Sequence, residues 1–261
     1  MDDIVTEHSG SILRVQLNRP AKRNAMTSAM YVALTGIFNE AAKDDNTRVV
    51  LWHGAGDSFC AGNDIDDFLK NPPGAGESPQ AGLMNAFVNF DKPLVAAVHG
   101  AAIGGGTTML THCDFIYAGE STKFQMPFIN LAVVPEFGSS CSVPARIGHL
   151  RAAELILLGV RFDARRAADL GLVTEVLPDK DFLAKATETA GKLAAKPAAA
   201  LQASKRLLKQ PFREHIKAAM KAENEEFSAQ VRSEDAKEAF TAFLEKRKPN
   251  FAKTVKSRAT A

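Results

Sequence analysis

The feature that most restricts what this chain can fold into is a transition that occurs twice, in which a short apolar run passes through small residues into a helical pattern. VVLWHG at 49–54 leads through SFCAGND at 58–64 to a short helix from about Asp64. LVAAV at 94–98 leads through HGAAIGGGTT at 99–108 into TTMLTHCD. Strands alternating with helices in this way build an α/β or mixed layered architecture. Each turn also leaves the first N–H groups of its helix without a carbonyl partner. A pair of such donors can hold a developing oxyanion, and Gly and Ala let a substrate carbonyl approach the backbone itself. The same glycines also serve tight turns and close packing, and either turn alone is a weak signal. No GK[ST] follows the GGG run and no GxGxxG spacing follows an early strand, so neither a phosphate loop nor a dinucleotide site is indicated.

The flanking chain fits that layered pattern. Two alternating runs, IVTEH and ILRVQLN, separated by Ser9, Gly10 and Ser11, predict an opening β-hairpin. Ser28 is placed to cap a helix whose apolar stripe is Met30, Leu34, Ile37, Phe38 and Ala41. The Pro- and Gly-rich stretch at 71–80 predicts a mobile loop before a helix near 81–90, and DFIYAG returns as a strand. Beyond Ser139 the pattern is mostly helical, with breaks expected at Pro178, Pro197 and Pro211.

Charge and cysteine content narrow the partners. With 32 Lys+Arg against 30 Asp+Glu, the net charge of +2 argues against a protein built mainly to bind polyanions. Three cysteines without CxxC spacing suggest neither a disulfide framework nor a thiolate zinc site. His99, His112 and Cys113 show no metal-ligand spacing, and Cys60 is expected to pack as a small hydrophobe. An acidic amino-terminal start and the lack of a membrane-length apolar run lead us to expect a cytoplasmic protein. The C-terminal Arg-Ala-Thr-Ala is no peroxisomal address, which favours a bacterial cytoplasm.

The two turns and their neighbours resemble the enoyl-CoA hydratase/isomerase (crotonase) superfamily along nearly the whole chain. The resemblance rests on LNRPAKRNAM (17–26), SFCAGNDI (58–65), KPLVAAVHGAAIGGG (92–106), CDFIYAG (113–119), AADLGLVTEVLP (167–178) and FLEKRKPNF (243–251). It implies a spiral core of ββα units over residues 1–195, holding a site for a coenzyme A thioester. It also implies a helical region over 196–261 that mediates assembly into a homotrimer or a dimer of trimers. The family's oxyanion hole maps onto the backbone N–H groups of Ala61 and Gly105. Lys22, Arg23, Asn24, Gly62, Asn63, Asp64, Ile65, Phe128, Phe243 and Lys246 fall where family members hold the thioester and its nucleotide end. A solvated surface pair explains Lys22 and Arg23 equally well, and Asp64 also reads as a helix cap.

One departure from the family pattern bears on the reaction. A hydratase of this family carries two glutamates around the attacking water, and those positions read Thr108 and Phe128 here, neither an acid or base near neutral pH. A different carboxylate, Glu136, lies among Val133, Val134, Pro135 and Phe137, whose apolar character would raise its pKa. VPEFGSS resembles the corresponding segment of peroxisomal-type Δ3,Δ2-enoyl-CoA isomerases, in which that glutamate is the base. A Δ3,Δ2-enoyl-CoA isomerase using Glu136 is therefore expected, with no metal or resident cofactor. Hydration or another enolate-forming reaction is the alternative. An exposed glutamate at the start of a helix remains the plain reading of Glu136. An alternative of another class is an RNA-binding family member, suggested by the stripe Lys205, Lys209, Arg213, Lys217 and Lys221; helical charges at that spacing more often form a solvated face.

Overall fold

The computed structural model describes residues 2–71 and 78–252, so residues 72–77 of the expected 71–80 loop lie outside the described residues. The first half runs β1 (Ile4–Ser9), β2 (Ile12–Leu17), α1 (Ser28–Lys43), β3 (Val49–Gly54), α2 (Ile65–Lys70), α3 (Pro79–Asn89), β4 (Leu94–Val98) and β5 (Ala101–Ile103). It continues through α4 (Gly105–Thr108), β6 (Phe115–Gly119), β7 (Lys123–Gln125), α5 (Ser139–Ile147) and α6 (His149–Leu157). The chain then adds β8 (Arg161–Asp163), α7 (Ala164–Asp169), β9 (Glu175–Leu177), α8 (Phe182–Ala194), α9 (Ala198–Gln230) and α10 (Glu234–Leu244).

The main sheet has the order β1-β2-β3-β4-β6-β9, parallel throughout except for the β1–β2 hairpin. A second sheet, β5-β7-β8, lies where the chain has turned out of the first one. This is the spiral that the resemblance implies: β4 is followed at once by β5, and β6 by β7, each pair passing from one sheet to the other. The continuous apolar runs of β3 and β4 are required because both faces of the sheet are covered. Val50, Trp52, Leu94, Ala96 and Val98 enter the larger core with α1 and α3, whereas Val49, Leu51, Val95 and Ala97 face α8. The helix presents Phe182, Ala186 and Ala190 to them at a spacing of four, so one stripe meets the sheet. On the other face the fully buried Trp52 packs against Phe38, Phe59 and Phe87, with ring centroids 6.1, 5.3 and 5.5 Å away.

Three local expectations change. The cap of α1 is Thr27, whose hydroxyl accepts from the Met30 N–H; Ser28 instead donates its N–H and hydroxyl to Asp67, both at 2.8 Å. No break occurs at Pro211, which lies inside the 33-residue α9. Proline there removes the donor that would serve the carbonyl of Leu207, and Leu207 is exposed, so water can serve it instead.

The basic stripe is not a solvated face. The Lys205 ammonium, buried, donates to the Lys92 carbonyl and to Asp114, both at 2.7 Å. Lys209 donates to the carbonyls of Phe87 and Phe90, and Arg213 pairs with Asp91. Only Lys217 and Lys221 follow the solvated pattern, pairing along their own helix with Glu214 and Glu225. A period of four keeps charges on one helix face, but periodicity does not say which face, and here it is the face that docks the helix.

These contacts predict unequal costs. Lys205→Met should lower the free energy of unfolding by about 3 kcal/mol, because Asp114 and a buried carbonyl lose their donor. Lys221→Ala, removing an exposed pair, should change it by less than about 0.5 kcal/mol. Urea unfolding of the two variants measures both values.

Candidate active site

The two small-residue turns are locked to each other by backbone. The Cys60 N–H donates to the Ala101 carbonyl at 2.9 Å, and the Cys60 carbonyl accepts from the Ile103 N–H at 2.9 Å. Contact this close excludes side chains beneath it. A Cβ on Gly106 would lie 2.4 Å from the Cys60 carbonyl oxygen, and one on Gly62 would lie 2.8 Å from that of Ile103. Gly62 also has φ +90°, a conformation other residues rarely adopt.

The first turn is tied to the segment before α1 as well. Asn24 is fully buried, its amide donating to the carbonyls of Ala55 and Ser58 at 2.8 and 2.7 Å while its oxygen accepts from the Arg19 N–H at 2.9 Å. Those bonds occupy the side chain inside the protein, so Asn24 is a structural tie, contrary to the expected thioester contact. The N–H of Ala61 donates to the carbonyl of Arg23 at 3.0 Å, which removes it as an oxyanion donor and corrects that assignment. Two residues further on, Asn63 has flanking bonds on both sides, from Met26 N–H to the Gly62 carbonyl and from Asp64 N–H to the Met26 carbonyl. Its own N–H has no protein acceptor among the described residues, and neither has that of Gly105, the first residue of α4.

The two residues with unpaired N–H groups, Asn63 and Gly105, both line a cavity of about 320 Å³. Ala61, Gly62, Asn63, Asp64, Ile65, Gly105, Phe128, Glu136, Phe243 and, at its edge, Lys22 line it. Arg23, Asn24 and Lys246 do not. Phe68 of α2, Phe227 of α9 and Phe240 of α10 complete an aromatic wall, with Phe68 and Phe240 rings 5.6 Å apart. The sequence reading did not single out these three; each sits on an ordinary apolar helix stripe that carries no mark of a pocket. Met84 of α3 belongs to the core. Asp64 accepts from the Asp67 N–H at 3.1 Å as the cap of α2 and from Arg19 at 3.0 Å. Burial alone would raise its pKa, but these partners hold it below the usual carboxylate value.

Glu136 is 4% exposed, and its Oε1 has no hydrogen-bond partner. That oxygen would lie 3.0 Å from a Cβ on Gly105, and the Tyr31 hydroxyl 3.3 Å from the same point. The carboxyl therefore faces the backbone that carries one unpaired donor. Burial, reinforced by the nearby Glu223 carboxyl, pushes the Glu136 pKa up to about 8. The Tyr31 hydroxyl donates to the Asn63 side-chain oxygen at 2.7 Å, and its own pKa is held well above the usual value by burial, then by Glu136 and Cys60. Tyr31 was absent from the expected site because a tyrosine among Met30, Leu34 and Phe38 reads as core. Thr108, fully buried, has its hydroxyl 3.4 Å from the Gly104 carbonyl and does not reach the cavity.

A larger cavity of about 470 Å³ lies between α9 and the core, lined by His112, Asp114, Lys205 and Lys209 among others. Its charged groups are paired with the protein, and burial pushes His112 down to about 3, so that the ring is neutral. The smaller cavity combines unpaired backbone donors with an unpaired carboxyl, which is the combination that can move a proton next to a developing oxyanion.

A family model described as enoyl-CoA hydratase/isomerase matches residues 7–254. The chain is 34% identical over 252 residues to enoyl-CoA delta isomerase 2 of Rattus norvegicus, an alignment covering 94% of this chain and 64% of that protein. It is 33% identical over 254 residues to 2,3-dehydroadipyl-CoA hydratase of Escherichia coli (strain K12), covering 96% of this chain and 99% of the other. Among solved structures, an enoyl-CoA hydratase/isomerase from Pseudoalteromonas atlantica T6c superposes with a TM-score of 0.91 at 37% identity, covering 96% of this chain and all (100%) of that one.

The environment of Glu136 sets a sign for stability against pH. A carboxyl held at about 8 when folded, against an ordinary value when unfolded, stabilises the protein fully at low pH; that stabilisation is lost as pH rises through about 8. Glu136→Gln carries no such group. Its melting temperature relative to the natural protein should therefore climb between about pH 5 and about pH 9. A difference that stays flat across that range, read by calorimetry, would show that the carboxyl is not held neutral.

Proposed function

Because the chain belongs to the enoyl-CoA hydratase/isomerase family, we propose that it is a Δ3,Δ2-enoyl-CoA isomerase with Glu136 as its single acid–base group and the N–H groups of Asn63 and Gly105 as its oxyanion hole. The observation that carries this reading is Glu136 itself, a buried carboxyl whose Oε1 has no hydrogen-bond partner, whereas Asp64 and Asp66 of the same cavity lining are paired with Arg19 and Lys22. Paired-glutamate hydration needs two groups to hold and split water. Thr108 and Phe128, which stand at the corresponding positions, offer none.

The chemistry follows from the substrate. A thioester carbonyl acidifies the C2 proton, and in a 3-enoyl thioester the C3=C4 bond spreads the resulting charge further. Ionised Glu136 takes the C2 proton; the electron pair moves into a C1=C2 bond and places charge on the carbonyl oxygen. The two backbone N–H groups meet that charge where water is excluded, which stabilises the dienolate more than the ground state. Protonated Glu136 then delivers the proton to C4, the remaining electrons form C2=C3, and the carbonyl is restored. A carboxyl with a pKa of about 8 suits both halves, since it is basic enough to remove the proton and acidic enough to return it. Coenzyme A enters as part of the substrate, with Lys22 at the cavity edge as the cation nearest to where its phosphates would run. The apolar side chains of Leu207, Leu208 and Phe212, exposed on α9, support a homotrimer built through the C-terminal helices.

Product analysis tests this reading. A 3-enoyl-CoA should be converted to the trans-2-enoyl-CoA, with Glu136→Gln losing at least about a thousandfold in kcat and little in KM. Efficient conversion of trans-2-enoyl-CoA to the 3-hydroxyacyl thioester would instead assign a hydratase. In deuterated water kcat/KM should rise and level off around the ionisation of Glu136, near pH 8 after isotope correction.

A further inference from the structure

We propose that Glu223, on a helix far along the chain from the catalytic base, is the positioning residue that shapes the turn carrying Glu136 and faces the base across it. This rests on the reading of Glu136 as the base. The Glu223 side chain is buried, at 6% exposure, and both carboxyl oxygens are occupied by that turn. Oε2 accepts from the Gly138 N–H at 2.7 Å, and Oε1 from the Ser140 N–H at 2.8 Å.

The turn needs such a partner. Phe137 has φ +61°, left-handed backbone that costs a non-glycine residue free energy, and Gly138 follows at +67°. Gly138 is also the cap of α5 and has no side chain to satisfy the first N–H groups of that helix. Glu223 supplies the cap from another element. The turn is held on its other side by His112, whose ring donates to the Phe137 carbonyl at 2.8 Å.

The same carboxyl is the electrostatic neighbour of the base. The ionisable groups around Glu136 come from four elements: Tyr31 from α1, Cys60 from the first turn, His112 from the segment after α4, and Glu223 from α9. Tyr31 and Cys60 are pushed up by burial, Cys60 to about 12, and His112 is pushed down, so all three are neutral near pH 7. Cys141 of α5 faces Glu223 and is raised by burial and then by Glu223 itself. Burial raises Glu223 too, but its two N–H bonds oppose that shift, whereas Glu136 Oε1 has no donor. The two N–H bonds to Glu223 favour its charged form over that of Glu136, which has no such donor on Oε1.

The test uses the full chain and the pH dependence of 3-enoyl-CoA isomerisation, with circular dichroism melts alongside. Glu223→Gln keeps the volume but removes the charge and one acceptor. Its kcat/KM midpoint should move down by about one pH unit and its plateau kcat fall about tenfold, with KM within about twofold of the natural protein. Glu223→Asp keeps charge with a shorter reach, so its plateau should fall while its midpoint stays in place. A Glu223→Gln profile that superimposes on the natural one, or a change confined to melting temperature or KM, would overturn the inference. Should Glu223→Gln fail to fold, a natural plateau in Glu223→Asp would overturn it equally. Loss of activity in Glu136→Gln together with an unshifted Glu223→Gln profile would remove only this inference; undiminished activity in Glu136→Gln would remove the reading beneath it.

Discussion

Everything at the site depends on one short backbone contact, the pairing of Cys60 with Ala101 and Ile103 that clamps two separate turns together. Either turn alone would present one loose N–H to solvent. Clamped, they bring Asn63 and Gly105 to one cavity, with glycines beneath because nothing larger fits. Donors fixed in advance need no reorganisation when charge develops on an oxygen, and for that reason rigid backbone is better suited to the task than mobile side chains. The core behind the clamp, centred on Trp52 and its ring neighbours, gives the strand ends a fixed base from which to hold it.

The second half of the site follows a different logic, because Glu136 is placed where its charged form is penalised. An unpartnered carboxyl in an apolar wall destabilises the fold whenever it ionises, a cost that the proposed acid–base role of Glu136 accounts for. Asp64, in the same cavity lining, shows the opposite arrangement: it caps α2, pairs with Arg19 and is held below the usual carboxylate pKa. Two carboxyls of one pocket thus differ in role through their partners alone.

Much of the fold was legible in the sequence because β3 and β4 are unbroken apolar runs and the turns after them are written in small residues. The apolar flanks of Glu136 were equally visible. What could not be read was hydrogen-bond bookkeeping within the turns. Ala61 and Asn63 are two residues apart, and only the carbonyl of Arg23, folded back from an earlier segment, decides which N–H is left unpaired. Asn24 looked polar and available for the same reason, although three backbone groups claim it. The stripe from Lys205 to Lys221 misled in the other direction. Its period is a property of the helix, whereas its partners Asp114, Asp91 and the Phe87 and Phe90 carbonyls lie roughly a hundred residues earlier, beyond the reach of any local pattern.

The turn behind Glu136 is capped by a side chain 87 positions downstream (223 − 136), and that distance has a consequence for biosynthesis. A ribosome releases Glu136 and both small-residue turns well before α9 emerges, so a nascent chain passes through a stage in which the sheet can assemble while the loop bearing Glu136 lacks its clasp. On the proposed reading, chemical competence is acquired late, when the last third of the polypeptide docks, and an incompletely translated copy would present a finished scaffold around an unshaped Glu136 turn.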